Sequence, residues 1–419
     1  MYKAPRGTSD ILPQEQAYWR YIEQKIAELC RLYGYQRIDT PVFEDARLFV
    51  RTIGEGTDIV EKEMYSFEDR GGDFLTLRPE GTAPVCRAYL EHGMHNLPQP
   101  VKLYYLAPIF RYERPQAGRY RQHWQFGFEA LGSPDPAIDA EVIDLACSFY
   151  QSLGLKDLRL KLNSIGCPNC RPKYLESLRD FYSERRELLC PDCKRRLERN
   201  PLRLLDCKKE SCLGLGKQAP KIGDYLCQEC RAHFDSLKKY LLLLKITFEE
   251  DHRLVRGLDY YTKTVFEIHP QGEEGAQTAL GGGGRYDNLI EELGGKPTPA
   301  VGFAAGIERA ILNLKKQGIS VPSPPQTSVF VAYLNQEAKD RAIEYVAQLR
   351  REGIGAVFAS GDRSLKAQLR QANALGANYT IIIGEDELRD GLIVWRDMVK
   401  SEQQRLSFAE ALEILKKVN

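Results

Sequence analysis

The chain has 419 residues, 43% of them hydrophobic, with 59 Lys and Arg against 58 Asp and Glu. A length of this order corresponds to roughly two to four domains, and Gly and Pro, 34 and 22 residues, fall well below the share that marks low-complexity chains. A net charge of +1 excludes a chain-wide field for holding nucleic acid, so any such binding must use local patches.

The opening MYKAPRGTSDILP has no apolar core of signal-peptide length, and the longest aliphatic run is Leu241 to Leu244, so export and membrane spanning are disfavoured and a cytoplasmic location is expected. From Gln14 to Tyr33 the apolar Tyr18, Ile22, Ile26 and Leu29 recur at helical spacing until Gly34 stops the pattern. IDTPVFED is β-like, and Pro41, which cannot donate to a ladder, suits an edge or interface strand. VKLYYLAPIFRYE and RYRQHWQFGFEALG then read as an antiparallel pair joined by a polar RPQAG loop. A helix over 140–153 and a strand over 158–163 lead into a cysteine-rich stretch that looks inserted and ends in a helix over 231–244. LVRGLDYYTKTVFEIHP and GGGGRYDNLI return to β structure, and VGFAAGIERAIL starts as a strand and turns helical. VPSPPQT, residues 321–327, is a Pro-rich boundary; beyond it strands and helices alternate, which predicts a small α/β domain with a mostly parallel sheet.

Several groups of residues can carry chemistry. In LRPEG, Pro79 holds Glu80 in a turn before a helix that begins near Thr82, an arrangement able to offer a carboxylate to an ammonium; a surface Glu at a helix start is the plainer local reading. Gln125, Gly127 and Glu129 share one strand face, opposite Trp124, Phe126 and Phe128, so they form either a polar substrate floor or the wet side of a half-exposed sheet. Arg111 precedes Glu113, Arg114 and a loop bearing Arg119 and Arg121, a cluster suited to polyphosphate or a solvated basic loop. GGGGRYD fits neither a P-loop nor a dinucleotide fingerprint; its four glycines permit close approach of something flat, such as a base or a small amino acid. Arg256 reads as a pocket-lining cation flanked by Asp259, Tyr260 and Tyr261, and Arg309 as either a pocket residue or a surface Arg paired with Glu308.

Eight of the 11 cysteines lie between Cys167 and Cys230 and form four pairs: Cys167/Cys170, Cys190/Cys193, Cys207/Cys212 and Cys227/Cys230. The 19 residues between Cys170 and Cys190 match the zinc pattern C-x₂-C-x₁₅₋₂₀-C-x₂-C, and eight thiolates suffice for two closed, structural Zn2+ sites. The stretch also carries 14 Lys and Arg against 10 Asp and Glu, an excess available either to nucleic-acid phosphates or to a solvated surface.

Taken together, TLRPEGT, IFRYERPQAGRYRQHWQFGFEALG, LVRGLDYYT, GGGGRYD and AVGFAAGIER resemble histidyl-tRNA synthetase, in order and over nearly the whole chain. The resemblance implies a class II α+β catalytic domain with an antiparallel sheet flanked by helices, over residues 1–165 and 246–320. It further implies a Cys-rich, mostly helical insertion over 166–245, a C-terminal α/β anticodon-binding domain over 326–419, and a homodimer. The implied reaction is ATP-dependent activation of L-histidine to histidyl-adenylate and transfer to the histidine tRNA, with Mg2+ on the phosphates. By similarity Glu80 and Thr82 bind the amino-acid end, Gln125 positions histidine, Glu129 with Tyr261 recognises its imidazole, and Tyr260 belongs to the same histidine site. Arg111 and Arg309 bind the two ends of the triphosphate, Glu113 and Arg121 line the nucleotide site, and Arg256 stabilises the adenylation transition state. The zinc ligands rest on spacing, not on the resemblance. Competing readings are a catalytically inactive paralogue that regulates ATP phosphoribosyltransferase, a tRNA sensor, and a zinc-stabilised nucleic-acid-binding protein.

Overall fold

A computed structural model describes residues 2–54, 57–113, 120–272, 279–322, 328–361 and 363–418. Contacts separate two compact units, Met1–Val321 and Pro322–Asn419.

The first unit is organised by an eight-stranded sheet. Its strands are β1 (Gln36–Arg37), β5 (Val101–Phe110), β6 (Gln122–Leu131), β7 (Leu158–Ser164), β8 (Glu249–Glu250), β9 (Thr262–Pro270), β10 (Gly281–Arg285) and β11 (Ala300–Gly306). Their order is β1-β5-β6-β11-β10-β9-β7-β8, antiparallel throughout except for the two-residue edge strands β1 and β8. β5 and β6 pair over their full ten residues, Val101 opposite Leu131 and Phe110 opposite Gln122. The expected antiparallel pair therefore forms. Arg114 and Arg119, in the loop between, lie outside the described residues.

The alternation along β6 sorts side chains between two faces. Phe126 and Phe128 join Phe266 and Phe303 under the Pro136–Ser152 helix, with the Phe126 and Phe149 rings 4.3 Å apart. Each such buried ring contributes roughly 1.5–3 kcal/mol. That helix starts where Asp135 accepts the Ala137 N–H at 2.9 Å and Pro136 occupies a position that needs no N–H. The helix read from Gln14 runs Gln16–Leu32 and buries Trp19, Ile22, Ile26 and Cys30 in the same layer. A small sheet of β2 (Phe43–Asp45), β3 (Tyr65–Glu68) and β4 (Phe74–Leu77), ordered β2-β4-β3, makes the strand after Pro41 an edge. Between Cys167 and Cys230 the chain is mostly helical, with helices Arg171–Ser183, Pro191–Arg199, Glu210–Gln218 and the start of Gln228–Leu243.

The second unit has five strands, β12 (Val329–Tyr333), β13 (Ala356–Phe358), β14 (Tyr379–Ile383), β15 (Ile393–Asp397) and β16 (Gln403–Leu406), in the order β13-β12-β14-β15-β16. β13, β12 and β14 are parallel, but β15 and β16 are antiparallel. The expectation of a mostly parallel sheet is corrected to a mixed one. A parallel crossover needs a helix long enough to span the sheet, and the six-residue Glu385–Asp390 helix gives way at Gly391, in the left-handed region, to a strand that turns back.

Candidate active site

The β6 face opposite the phenylalanines is the floor of a site. Gln125, Gly127 and Glu129 stand beside Ala107, Tyr105 and Leu103 of β5 and beside Gly306, Ala304 and Gly302 of β11. Glycine is required where side chains lie flat on this floor. A Cβ on Gly302 would meet Glu129 Oε2 at 1.6 Å, and one on Gly282 would meet Arg256 Nη1 at 2.6 Å. The run at 281–284 is thus a strand that makes room for the protein's own ionic side chains, and Gly281 faces the helix layer.

At one end the site is acidic and dry. Glu80, Thr82, Glu129, Tyr260 and Tyr261 are all buried, with Glu129 only 1% exposed. Glu80 caps the Thr82–Glu91 helix, its two oxygens accepting the Thr82 N–H at 2.6 Å and the Ala83 N–H at 2.8 Å. The surface-Glu reading is therefore excluded. Glu129 accepts the Thr82 hydroxyl at Oε1, 2.8 Å, and the Tyr286 hydroxyl at Oε2. Burial pushes the Glu129 carboxyl up to about 8, against the lowering by Tyr286 and Thr82, and burial also raises Glu80. At neutral pH Glu129 thus keeps its proton, which makes it a partner for a ring able both to donate and to accept. Tyr260 and Tyr261 wall this end, their ring centres 4.7 Å apart.

At the other end a cavity of about 660 Å³ is lined by Arg111, Glu113, His123, Gln125, Arg256 and Arg309. Gln125 links the two ends. Arg111 donates from Nε to Pro79 O at 2.7 Å, which ties it to the turn that carries Glu80. Arg256 Nη1 donates to Glu267 Oε1, while Glu267 Oε2 meets His269 Nε2 at 2.9 Å. Burial disfavours the Arg256 charge, but Glu267 and Tyr261 outweigh it and raise the guanidinium, and its buried Nε has no acceptor. Arg309 Nη1 donates to Ala279 O at 2.7 Å. Glu308, read as its surface partner, instead accepts the Trp124 N–H at 2.8 Å and is pushed by burial to about 7. Arg121 is set apart: it stacks 3.7 Å over Tyr112 and does not line the cavity. His123 is driven down to about 3 by burial and then by Arg111 and Arg309, so it is neutral.

The cysteine-rich segment supplies the remaining wall, through Asp192, Arg196, Arg203, Asp206, Lys208 and Lys209. Sequence reading missed this contribution, as it missed Tyr286, Glu267 and His269; the basic excess of the segment was its only signal. Two cysteine clusters form, with every sulfur within 4.8 Å of the others in its group. One joins Cys167 and Cys170 to Cys227 and Cys230, the other Cys190 and Cys193 to Cys207 and Cys212. The spacing match between Cys167/Cys170 and Cys190/Cys193 is thereby corrected: those pairs belong to different clusters. Observed Sγ separations of 3.7, 3.9, 3.8 and 3.8 Å compare with about 3.8 Å for a tetrahedron of Zn–S bonds of about 2.3 Å. Backbone N–H groups of Cys167 and Cys190 point at Cys170 Sγ and Cys212 Sγ, at 3.2 and 3.3 Å. Against burial, which raises it, backbone N–H groups draw the Cys167 thiol down to about 7. Donor set, size and hydrogen bonding all fit Zn2+.

Comparison with known proteins agrees with this geometry. The family model for histidyl-tRNA synthetase matches residues 7–169 and 213–310, and that for an anticodon binding domain matches 328–418. The histidine–tRNA ligase of Dehalococcoides mccartyi strain 195 is 58% identical over 417 residues, 100% of each chain to the nearest per cent, and that of Pelotomaculum thermopropionicum is 51% identical over 412, 98% of this chain and 97% of the relative. The apo S. aureus histidyl-tRNA synthetase structure superposes with a TM-score of 0.84 at 40% identity, covering 99% of this chain and 100% of that one. A Bacillus halodurans structure described as an ATP phosphoribosyltransferase regulatory subunit/histidyl-tRNA synthetase shares the fold at 22% identity and a TM-score of 0.65, over 92% of this chain and 98% of its own. By sequence along its full length and by fold, the chain belongs to the histidyl-tRNA synthetase family.

Proposed function

We propose that the chain joins L-histidine to its cognate tRNA in two steps on this one floor. The histidine carboxylate attacks the α-phosphorus of ATP, the bond to the bridging oxygen breaks, and pyrophosphate leaves. A terminal ribose hydroxyl of the tRNA then attacks the adenylate carbonyl and expels AMP. The observation that carries the reading is the placement of a buried Glu129 and an arginine-lined cavity on a single strand face, joined by Gln125.

In this reading Glu80 and Thr82 hold the α-ammonium end, and Gln125 orients histidine. Glu129, with Tyr260 and Tyr261, selects the imidazole, because a side chain unable to pair with Glu129 leaves a buried acid without its partner. Arg111 takes the α-phosphate and Arg309 the far end of a bent triphosphate, with Glu113 beside them. Arg256, fixed by Glu267, meets the charge that builds on the phosphoryl oxygens; such preorganised cations act only as that charge develops. Mg2+ would neutralise phosphate charge when bound, and oxygen donors fitted to it are Glu113, which lines the cavity, and Glu308, whose buried Oε2 accepts no hydrogen bond.

Residues 1–165 and 246–320 form the catalytic body, 166–245 the insertion, and 326–419 the domain that reads the anticodon. Each thiolate cluster holds one structural Zn2+. A homodimer is supported by an apolar face on the small sheet, where Phe43 and Phe67 are 52% and 42% exposed in the single chain. No described helix is long and apolar enough to cross a membrane, and a tRNA substrate supports a cytoplasmic location. The test is ATP–pyrophosphate exchange with each amino acid supplied singly: exchange with histidine alone supports the reading. No exchange by folded, ATP-binding protein would favour a regulatory role.

A further inference from the structure

The two thiolate clusters occupy different places. Cys167 follows β7, and Cys227 and Cys230 open the Gln228–Leu243 helix, which packs on the Pro136–Ser152 helix. None of these four cysteines lines the cavity, whereas Cys190 and Cys207 do.

The chain bracketed by the Cys190–Cys212 cluster grips the catalytic body on both sides of the cavity. From the Pro191–Arg199 helix, Arg196 reaches Asp58 at 3.3 Å and Arg199 reaches Glu61 at 2.6 Å. Immediately after it, Asn200 Nδ2 donates to Asp259 Oδ1 at 2.8 Å and Arg203 Nη1 to Gly257 O at 3.0 Å. Residues 257–259 are the turn that joins Arg256 to Tyr260 and Tyr261. Each latch is a partly exposed polar contact, weak alone. Together they hold the turn only if the segment carrying them is itself fixed: Leu197, Leu204 and Leu205 pack it into the core that holds Val255 and Tyr260, and the four sulfurs close its short helices on one another.

We propose that the Cys190–Cys193–Cys207–Cys212 cluster binds a Zn2+ that positions Arg256 for adenylate formation by fixing Asn200 and Arg203 against residues 257–259, whereas the Cys167–Cys170–Cys227–Cys230 cluster joins the insertion to the sheet. The inference rests on the histidine-activating reading. The metal is structural: four thiolates close its coordination, so it acts by placing the segment and takes no part in the chemistry.

The experiment counts zinc released per full-length chain and follows adenylate formation by rapid quench, with histidine affinity measured separately. Wild type is expected to carry two Zn2+. Cys212→Ser should carry one, and its adenylation rate should fall on the order of 10- to 100-fold, as small misplacements of a catalytic group do, with histidine affinity held within about twofold. Cys212→His, which restores a zinc ligand, should recover the second metal and most of the rate. The paired variant Asn200→Ala, Arg203→Ala should keep both metals and still be slowed, and it decides the matter if Cys212→Ser does not fold. Full adenylation by a one-zinc chain, full adenylation by the latch variant, or a wild-type chain without zinc in this cluster would overturn the proposal. Wild-type protein with two Zn2+ and no histidine-dependent exchange would instead refute the parent reading and leave the metal assignment standing.

Discussion

The two ends of the catalytic floor solve opposite problems. The acid end is closed: Glu129 is 1% exposed, its oxygens engaged by Thr82 and Tyr286, and burial holds its proton. The cationic end opens into a cavity in which Arg111, Arg256 and Arg309 are anchored to a carbonyl, a carboxylate and a carbonyl. A dry end discriminates, because an unmatched ligand leaves a buried polar group unpaired. An open end with anchored charges accelerates, because its dipoles need no reorganisation when charge moves. The two tasks are separable by mutation.

The largest effect expected is at the cationic end. Arg256→Ala should slow adenylate formation by about 10²–10³-fold, the usual cost of removing a preorganised charge partner, with histidine affinity little changed in equilibrium dialysis; an equal loss of affinity would merge the two ends. Next, Glu129→Gln should weaken histidine binding by roughly 1–3 kcal/mol, the cost of leaving a buried polar group mismatched with its partner, and calorimetry reads this directly. Glu267→Gln, which leaves the shape but removes the charge that anchors Arg256, should give a smaller loss of rate, about tenfold, with KM for histidine held. Rapid quench separates the two parameters.

The smallest expected effect is on stability. The folded value of Glu129, about 8, lies above an unfolded carboxyl's roughly 4.3, so the native state binds the extra proton between them and stability from this group is full below the lower value and lost as pH rises through the upper one. Urea unfolding of wild type should therefore lose ground to Glu129→Gln between pH 5 and pH 8. A constant difference across that window would show that Glu129 is already ionised in the free protein.

Much of this division is written in local sequence. Period-two alternation separates Gln125, Gly127 and Glu129 from Phe126 and Phe128 without any knowledge of the fold. What local pattern does not carry is closure over distance. Tyr286 reaches Glu129 across 157 positions, and Glu267 and His269 look like ordinary alternation in VFEIHP until Arg256 is seen beside them. The cysteine pairs show the same limit. Spacing favours Cys167/Cys170 with Cys190/Cys193, but the first pair leaves β7 and meets its partners only where the insertion returns at the Gln228–Leu243 helix. The GGGG run was legible as close approach, yet what approaches it is Arg256 and Glu267, side chains of the protein itself. In the second unit, alternating elements signalled α/β, while the turn at Gly391 that makes β15 antiparallel left no periodic trace.

The most direct measurement is adenylate formed in a single turnover as a function of histidine concentration, for wild type, Arg256→Ala and Glu129→Gln side by side. The predicted result is a lowered plateau with unchanged half-saturation for Arg256→Ala and a raised half-saturation with a largely preserved plateau for Glu129→Gln. Both variants shifting the same parameter would contradict the division of the floor into a discriminating and an accelerating end.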